Sequence, residues 1–266
     1  MSHDLERLVR AAGDIAVRAS AAILDVYESE FAVEHKDDRS PLTAADLAAH
    51  RLIVAALGEL TPDIPVLSEE SVAIEWRERS CWTRYWLVDP LDGTREFVKR
   101  NGEFTVNIAL IDDHRPVLGV VQTPVTGELA CAWDGGGAWL ADATSAKVRR
   151  IGTRQRATPL TVAGSRSHAS EHETELLGRL GHCARMPLGS SLKFVRIAAA
   201  QADLYLRLGP TSEWDTAAGQ CVLEQAGGAV LDFNGRPLRY NTRDSLINPD
   251  FVAVGDRDAD WSTLFA

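Results

Sequence analysis

The sequence contains few cysteines, and their spacing does not indicate a shared site. The four cysteines, Cys81, Cys131, Cys183 and Cys221, are scattered and include no C-x-x-C pair. This spacing is typical of small core residues in a reducing compartment and not of a disulfide framework or a zinc site. The N-terminal stretch is charged and lacks the apolar segment of a signal peptide, so we expect a cytoplasmic protein.

Long apolar runs, internal repeats and low-complexity tracts are also missing, and no stretch is apolar enough to predict a membrane-spanning helix. Basic residues are outnumbered by acidic ones, and the formal net charge is -10. This charge argues against a protein that binds nucleic acid by neutralising its phosphates. A small anionic substrate is still compatible with it, because bound divalent cations can dominate the local field.

A length of 266 residues, with 45% hydrophobic and 25% charged residues, fits one large domain or two joined lobes. Apolar residues recur every three or four positions over 4–27, which predicts a long amphipathic helix, and a second helix is predicted from near Thr43. β-Branched runs within 28–155 then predict an antiparallel meander. Strands and helices alternate afterwards, so we expect an α+β lobe over 1–155 and an α/β lobe over 156–266.

The most informative stretch follows an apolar run over 85–88. That run predicts a buried strand, which we expect to end at Asp89-Pro90 because proline does not donate to a ladder. Asp89 and Asp92 then lie three residues apart on a turn closed by Gly93, with Thr94 beside it. Magnesium prefers such hard oxygen ligands. The alternative is that both aspartates are ordinary turn residues.

Three more carboxylates stand at the ends of predicted elements. Glu69, followed by another glutamate, ends a short strand, where the alternative is solvated surface charge. Asp46 fits a capping box with Thr43 at the start of the second helix. Asp215 stands where the last long helix begins, so it fits an N-cap that accepts backbone N–H groups. Capping and metal binding are compatible in one carboxylate, because it has two oxygens.

Three segments resemble the signature motifs of the inositol monophosphatase superfamily. They are Glu69-Glu70, Asp89-Pro90-Leu91-Asp92-Gly93-Thr94 and Trp214-Asp215-Thr216-Ala217-Ala218-Gly219. The resemblance covers nearly the whole chain. It implies a magnesium-dependent, lithium-sensitive phosphomonoesterase whose α/β (α+β) fold is a layered α-β-α-β-α sandwich.

A narrower likeness is to the 3′(2′),5′-bisphosphate nucleotidase branch of that superfamily, the bacterial CysQ type. The segments that carry it are Ser68-Glu69-Glu70, Lys99-Arg100-Asn101-Gly102-Glu103-Phe104-Thr105-Val106-Asn107, Ser165-Arg166-Ser167-His168 and Ser190-Ser191-Leu192-Lys193. This branch removes the 3′-phosphate of adenosine 3′,5′-bisphosphate, a by-product of sulfate assimilation, and leaves AMP. The resemblance therefore implies a bisphosphate nucleotide as the small-molecule substrate.

The resemblance also implies two or three magnesium ions, bound mainly by residues of the first lobe. Glu69, Asp89 and the Leu91 carbonyl would hold one ion. Asp89 would bridge to a second ion, which Asp92 and Asp215 would also hold. A third, looser ion would contact Glu69, which is assigned a catalytic role as well as a ligand role.

Further roles follow from the same resemblance. Thr94, hydrogen-bonded to Asp46, would orient the attacking water, and a second water would protonate the leaving group. The residues assigned to the substrate are Asp92, Gly93, Thr94, His168, Ser190, Lys193, Arg207 and Asp215. Lysine and arginine suit a second phosphate. The alternatives are that Arg207 is surface charge at a strand end and that His168 caps the following helix.

Two other functions are weighed against the nucleotidase. One is another phosphatase of this superfamily, acting on inositol phosphate or fructose 1,6-bisphosphate. The other is a non-catalytic scaffold for a protein or RNA, which is disfavoured because Glu69, Asp89, Asp92 and Asp215 are all present. The sequence leaves open whether the protein is a monomer or a homodimer, and whether it associates peripherally with the inner membrane.

Overall fold

Helices and strands follow one another largely in the predicted order. The structure, a computed structural model, describes residues 2–28, 33–35, 41–71, 74–142, 147–164 and 171–265. Within these ranges the helices are α1 (Ser2–Tyr27), α2 (Ala44–Leu60), α3 (Trp76–Arg79), α4 (Thr94–Val98), α5 (Glu171–Arg179), α6 (Leu192–Ala198), α7 (Glu213–Ala226) and α8 (Ser262–Phe265). None of these helices combines the length and apolar character needed to cross a bilayer.

The strands form a two-stranded, a seven-stranded and a five-stranded sheet. In the first half they are β1 (Val33–His35), β2 (Pro41–Thr43), β3 (Val66–Ser68), β4 (Arg84–Asp92), β5 (Thr105–Asp112), β6 (Arg115–Thr123), β7 (Glu128–Trp133), β8 (Gly137–Asp142) and β9 (Lys147–Ile151). In the second half they are β10 (Leu160–Gly164), β11 (Cys183–Pro187), β12 (Leu204–Arg207), β13 (Ala229–Asp232) and β14 (Phe251–Val254).

The seven-stranded sheet is the predicted meander. Its order is β3-β4-β5-β6-β7-β8-β9, and every pair is antiparallel except β3–β4, which is parallel. The five-stranded sheet has the order β11-β10-β12-β14-β13. Its β10 pairs in parallel with both β11 and β12, whereas β14 is antiparallel to both of its neighbours.

Alternate residues of β4 show how the layers are stacked. Trp86 and Val88 are buried against α1 and α2, whereas Tyr85 and Leu87 are buried on the opposite face, in the core that contains α6 and α7. The five-stranded sheet covers the other side of α6 and α7 and carries α5 and α8 on its outer face. The expected α-β-α-β-α sandwich is therefore confirmed. The division into lobes at residue 155 stays a prediction.

Close packing of α7 depends on glycines. A Cβ atom at Gly119 in β6 would lie 2.4 Å from the Ala218 carbonyl oxygen and 2.8 Å from the Cys221 Cβ, both on α7. A Cβ at Gly219 on α7 would lie 2.5 Å from the Phe194 ring of α6. Helix α7, whose first turn contains Asp215, thus packs closely against both a strand and a helix.

One prediction about β4 is wrong. The strand does not end at Asp89-Pro90 but continues to Asp92. Asp89 pairs with Asn107 and Asp92 pairs with Thr105, and the register shifts between them. Pro90 lies in this bulge, where a ladder N–H is not required, so the strand can pass through it.

Candidate active site

Three carboxylates meet at the end of β4. Oxygens of Asp89, Asp92 and Asp215 lie within 4.8 Å of one another. The first two come from the bulged end of β4, and Asp215 comes from the first turn of α7. The fold thus brings together residues from the two distant motifs that the sequence singles out.

The local backbone keeps Asp89 in place. Its Oδ1 accepts the Leu91 N–H at 3.0 Å, which closes a tight turn inside the bulge. Both side chains are only 1% exposed. Gly93 follows with φ of 94°, a left-handed conformation that glycine adopts without strain, and α4 begins at Thr94. The turn interpretation of this stretch is therefore correct, and it coexists with the clustering of carboxylates.

Asp215 also has two roles in the structure. Its Oδ2 accepts the N–H of Ser212, the N-cap residue of α7, at 3.0 Å, which is one half of a capping box. The same carboxylate belongs to the cluster with Asp89 and Asp92. The prediction that Asp215 is the N-cap is therefore wrong in position: Ser212 is the N-cap, and Asp215 is the third helical residue of a capping box. The contact restrains the carboxylate beside the other two acids.

Burial and the repulsion between neighbouring carboxylates disfavour the charged forms of Asp89 and Asp215. Burial raises the pKa of Asp89 well above its ordinary value, and the charges of Glu69, Asp92, Asp215 and Asp46 raise it further. The pKa of Asp215 is also raised well above its ordinary value, chiefly by burial and then by Asp92 and Glu69. A bound cation would relieve this repulsion.

Glu69 and Asp46 belong to the same neighbourhood, since their charges act on Asp89. Glu69 opens a 3₁₀ turn directly after β3, the parallel neighbour of β4. Asp46 is fully buried in the first turn of α2. Thr94 is the first residue of α4, which contacts β2, the strand directly before α2. The predicted hydrogen bond between Thr94 and Asp46 stays a prediction.

A cavity of about 190 Å³ opens beside the carboxylates. It is lined by six of the predicted substrate residues: Asp92, Gly93, Ser190, Lys193, Arg207 and Asp215. Arg95, Glu96, Tyr205 and Thr211 also line it, and the sequence motifs did not assign them. His168 lies outside the described residues, so its role stays a prediction.

Lys193 is a buried cation in this cavity. Its side chain is 7% exposed, and Nζ donates to the Ser190 carbonyl at 2.6 Å and lies 5.1 Å from the centre of the Tyr205 ring. Burial lowers the pKa of Lys193 to about 8, although the nearby Asp92 charge acts in the opposite direction. A group of this kind gains strongly from an anionic ligand that restores a partner for its charge.

Arg207 is held at the cavity by its own loop. The guanidinium donates to the Pro210 carbonyl at 2.7 Å and to the Thr211 hydroxyl. Its side chain is half-buried and lines the same space as Lys193. Lys193 and Arg207 therefore share one cavity with Asp92 and Asp215, two of the clustered carboxylates.

Gly189 shapes the wall of the cavity, and it was not singled out from the sequence. Its N–H donates to the Glu103 carboxylate at 2.9 Å, and a Cβ at this position would lie 2.6 Å from the Glu103 carbonyl oxygen. The loop that carries Ser190 can therefore approach the start of β5 only because residue 189 lacks a side chain. The signal in the sequence was a glycine directly before two serines.

Comparisons with known proteins agree with this geometry. Residues 4–258 match the model of the inositol monophosphatase family. The chain is 50% identical over 247 residues to the 3′(2′),5′-bisphosphate nucleotidase CysQ of Salmonella typhimurium strain LT2, covering 92% of this chain and 96% of the relative. The enzyme of the same name from Escherichia coli strain K12 has the same identity and coverage.

Solved structures show the same relationship. The crystal structure of CysQ from Bacteroides thetaiotaomicron, a bacterial member of the inositol monophosphatase family, superposes with a TM-score of 0.83 at 39% identity. The match covers 95% of this chain and 98% of that one. A Thermotoga maritima inositol monophosphatase shares the fold, with a TM-score of 0.77 at 23% identity over 94% and 92% of the two chains. The chain therefore belongs to the inositol monophosphatase family.

Proposed function

We propose that this protein is a 3′(2′),5′-bisphosphate nucleotidase that hydrolyses the 3′-phosphate of adenosine 3′,5′-bisphosphate to AMP and phosphate, in support of sulfate assimilation in the cytoplasm. The observation that carries the proposal is one cavity lined both by carboxylates, Asp92 and Asp215, and by the cations Lys193 and Arg207. A substrate with two phosphates suits a cavity that offers both a carboxylate cluster for metal ions and cationic side chains for a second phosphate. Relatives that are 50% identical bear this enzyme's name.

The residues present fit magnesium. The cluster offers hard oxygen donors, and Asp89 is buried among like charges that raise its pKa, so a divalent cation would compensate charge that is costly without it. We assign Glu69, Asp89, the Leu91 carbonyl, Asp92 and Asp215 as ligands of two or three ions. Bound magnesium would lower the pKa of a coordinated water and stabilise charge on the phosphoryl oxygens.

Side chains of the protein would orient the attacking water. Hydrolysis joins the oxygen of water to phosphorus, breaks the bond from phosphorus to the ribose 3′-oxygen, and leaves a proton on that oxygen. We assign Thr94 to orient the attacking water through its hydroxyl, with the buried Asp46 carboxylate as the acceptor for the hydroxyl hydrogen. Burial strengthens such a hydrogen bond because few waters compete for it.

The second phosphate would lie against the two cations. Arg207 is already oriented by its contacts with Pro210 and Thr211, so little freedom is lost when it binds an anion. The phosphate would give the buried ammonium of Lys193 an anionic partner. We assign the 5′-phosphate to this pair, with Gly93, Ser190 and His168 as further substrate contacts.

One panel of assays tests the proposal. Phosphate release is measured from adenosine 3′,5′-bisphosphate, inositol 1-phosphate and fructose 1,6-bisphosphate, with and without magnesium and with added lithium. We expect fastest release from the nucleotide, dependence on magnesium and inhibition by lithium. Brisk hydrolysis of inositol 1-phosphate without release from the nucleotide would instead favour an inositol monophosphatase. No release from any of the three would favour the non-catalytic scaffold.

The substrate affinity is expected to depend on the charge of Lys193. Below its pKa of about 8 the ammonium is charged, and above it the amine is neutral. The KM of the wild-type enzyme for the nucleotide should therefore rise between about pH 7 and about pH 9. Arginine stays charged throughout this range, so Lys193→Arg should show a flatter profile.

Removal of the charge gives a second measurement on the same residue. Lys193→Met is expected to raise KM about 10–100-fold at neutral pH, since a hydrogen bond to a charged group contributes about 1.5–3 kcal/mol. Lys99→Met is the matched control, because Lys99 is exposed and lies outside the cavity lining. A wild-type KM that stays constant across this pH range would contradict the assignment.

A further inference from the structure

The Asp92 carboxylate is held by a buried pair of polar side chains from two distant segments. Asn107 on β5 and Ser191 just before α6 are each 1% exposed. The Asn107 amide Nδ2 donates to Asp92 Oδ2 at 3.5 Å and to Ser191 Oγ at 3.0 Å. Ser191 Oγ in turn donates to the same Asp92 oxygen at 3.1 Å. One carboxylate oxygen thus faces two donor groups, the Asn107 amide and the Ser191 hydroxyl.

Ser191 also reaches the other side of the cluster. Its Oγ lies 2.6 Å from the Asp215 carbonyl oxygen, which it approaches as a donor. The single hydroxyl hydrogen of Ser191 thus lies between two acceptors, the Asp92 carboxylate on β4 and, at the shorter distance, the Asp215 carbonyl in the first turn of α7. This contact fixes the distance between the two backbone segments that supply the clustered acids.

The hydrogen bonds continue from Asn107 to the substrate cavity. Thr105, fully buried, donates through Oγ1 to Asn107 Oδ1 at 3.0 Å, and its Oγ1 lies 2.7 Å from Ser190 Oγ. The Thr105 hydroxyl has one hydrogen, which Asn107 receives, so Ser190 is the donor in the second bond. These bonds also orient the Asn107 amide, because its oxygen is engaged by Thr105 and its nitrogen faces Asp92.

We infer that Asn107 and Ser191 are positioning residues that orient the Asp92 carboxylate for magnesium and connect it, through Thr105, to Ser190 in the substrate cavity. The inference rests on the proposed function, because it takes Asp92 as a magnesium ligand. A ligand that is oriented before the ion arrives loses less freedom on binding, and removal of such supporting hydrogen bonds lowers metal affinity about 10–100-fold.

The test is a calorimetric titration of magnesium into the full-length, metal-free protein without substrate. Asn107→Leu keeps the approximate volume and removes both donors, and we expect magnesium affinity to fall about 10–100-fold. Ser191→Ala should also weaken binding. The double variant should lose less than the sum of the single losses, because both donors act on the same oxygen of Asp92.

Gln122→Leu is the matched control. Gln122 is a buried amide, 3% exposed, on β6, the strand beside β5, and it lines neither the cluster nor the cavity. The Gln122→Leu variant should bind magnesium with the affinity of the wild type, even if its Tm is lower. Asn107→Leu should also raise the KM for the nucleotide, because the network ends at Ser190, whereas Gln122→Leu should not.

The outcomes separate this inference from the proposed function. Wild-type affinity in folded Asn107→Leu or Ser191→Ala would overturn the positioning role while leaving the magnesium site intact. If Asn107→Leu does not fold, Ser191→Ala alone decides, since it removes a single hydroxyl. A wild-type protein that binds no magnesium would overturn the metal site itself, and this inference with it.

Discussion

In the variant Asp89→Asn, phosphate release from adenosine 3′,5′-bisphosphate is expected to fall by about 10³-fold or more, while the fold is retained. Asparagine has nearly the same shape, but it removes the charge that is expected to bridge two magnesium ions. Two-metal sites contribute several kcal/mol to the transition state, and a loss of about 4 kcal/mol corresponds to this factor. The measurement is kcat under saturating magnesium and nucleotide.

The same variant is expected to be more stable than the wild type when both are free of metal at neutral pH. The pKa of Asp89 is raised in the folded protein, so the folded state binds this proton more tightly than the unfolded state. Stability therefore falls in the wild type as pH rises from about 4, the ordinary range for an aspartate, towards the raised pKa. Asparagine does not ionise, so the variant should not show this loss.

A suitable control for both measurements is Asp113→Asn. Asp113 is exposed in the turn between β5 and β6, with a φ of 48° that asparagine also tolerates. It should keep wild-type turnover and an unchanged dependence of Tm on pH. Near-normal turnover in Asp89→Asn would contradict the assignment of Asp89 as the bridging ligand.

The largest expected effect on stability comes from Gly119→Ala. The new methyl group would lie 2.4 Å from the Ala218 carbonyl oxygen, so either β6 or α7 must move. Overpacking of this kind costs about 1–3 kcal/mol, and we expect the upper end because one of the colliding groups is backbone. The corresponding fall in Tm is about 5–10 °C, measured by thermal unfolding.

This substitution should also reduce activity, because α7 carries Asp215. A displacement of about 1 Å in a catalytic group can lower the rate about 100-fold, and we expect kcat to fall at least about tenfold. Gly58→Ala is the matched control. Gly58 lies in α2 with no atom within 4 Å of the added Cβ, and alanine should stabilise the helix by about 0.5–1 kcal/mol. An unchanged Tm in Gly119→Ala would contradict this prediction, because it would mean that β6 or α7 can shift to accommodate the methyl group without loss of stability.

Much of the fold follows from patterns in the sequence. The apolar stripe of α1 and the β-branched runs of the meander both predict elements that the structure contains. Two strands of the second half were not predicted. Cys183–Pro187 has no alternation of apolar and polar residues, and Phe251–Val254 is a four-residue apolar run whose length does not distinguish a strand from another buried segment.

The sequence motifs singled out Asp89, Asp92 and Asp215, and the structure brings these three carboxylates together. The residues that support them were not singled out, because their roles depend on contacts between distant segments. Asn107 is an ordinary polar residue within an apolar strand, and only the structure shows that its amide meets Ser191 and Asp92. The strand through Pro90 was missed for a similar reason. A bulge is defined by the register with β5, and a single strand does not reveal its register.

The position of β14 has a consequence for how the protein is made. This strand lies between β12 and β13 in the five-stranded sheet, although it follows both in the chain. During synthesis from the N-terminus, β12 and β13 leave the ribosome before Phe251–Val254, the strand that pairs with both of them, has been made. The seven-stranded sheet likewise keeps an apolar face uncovered until α6 and α7 emerge. Nascent chains of this protein therefore expose unpaired strand edges and apolar surface until β14 has been made, and in this interval a chaperone would protect them from aggregation.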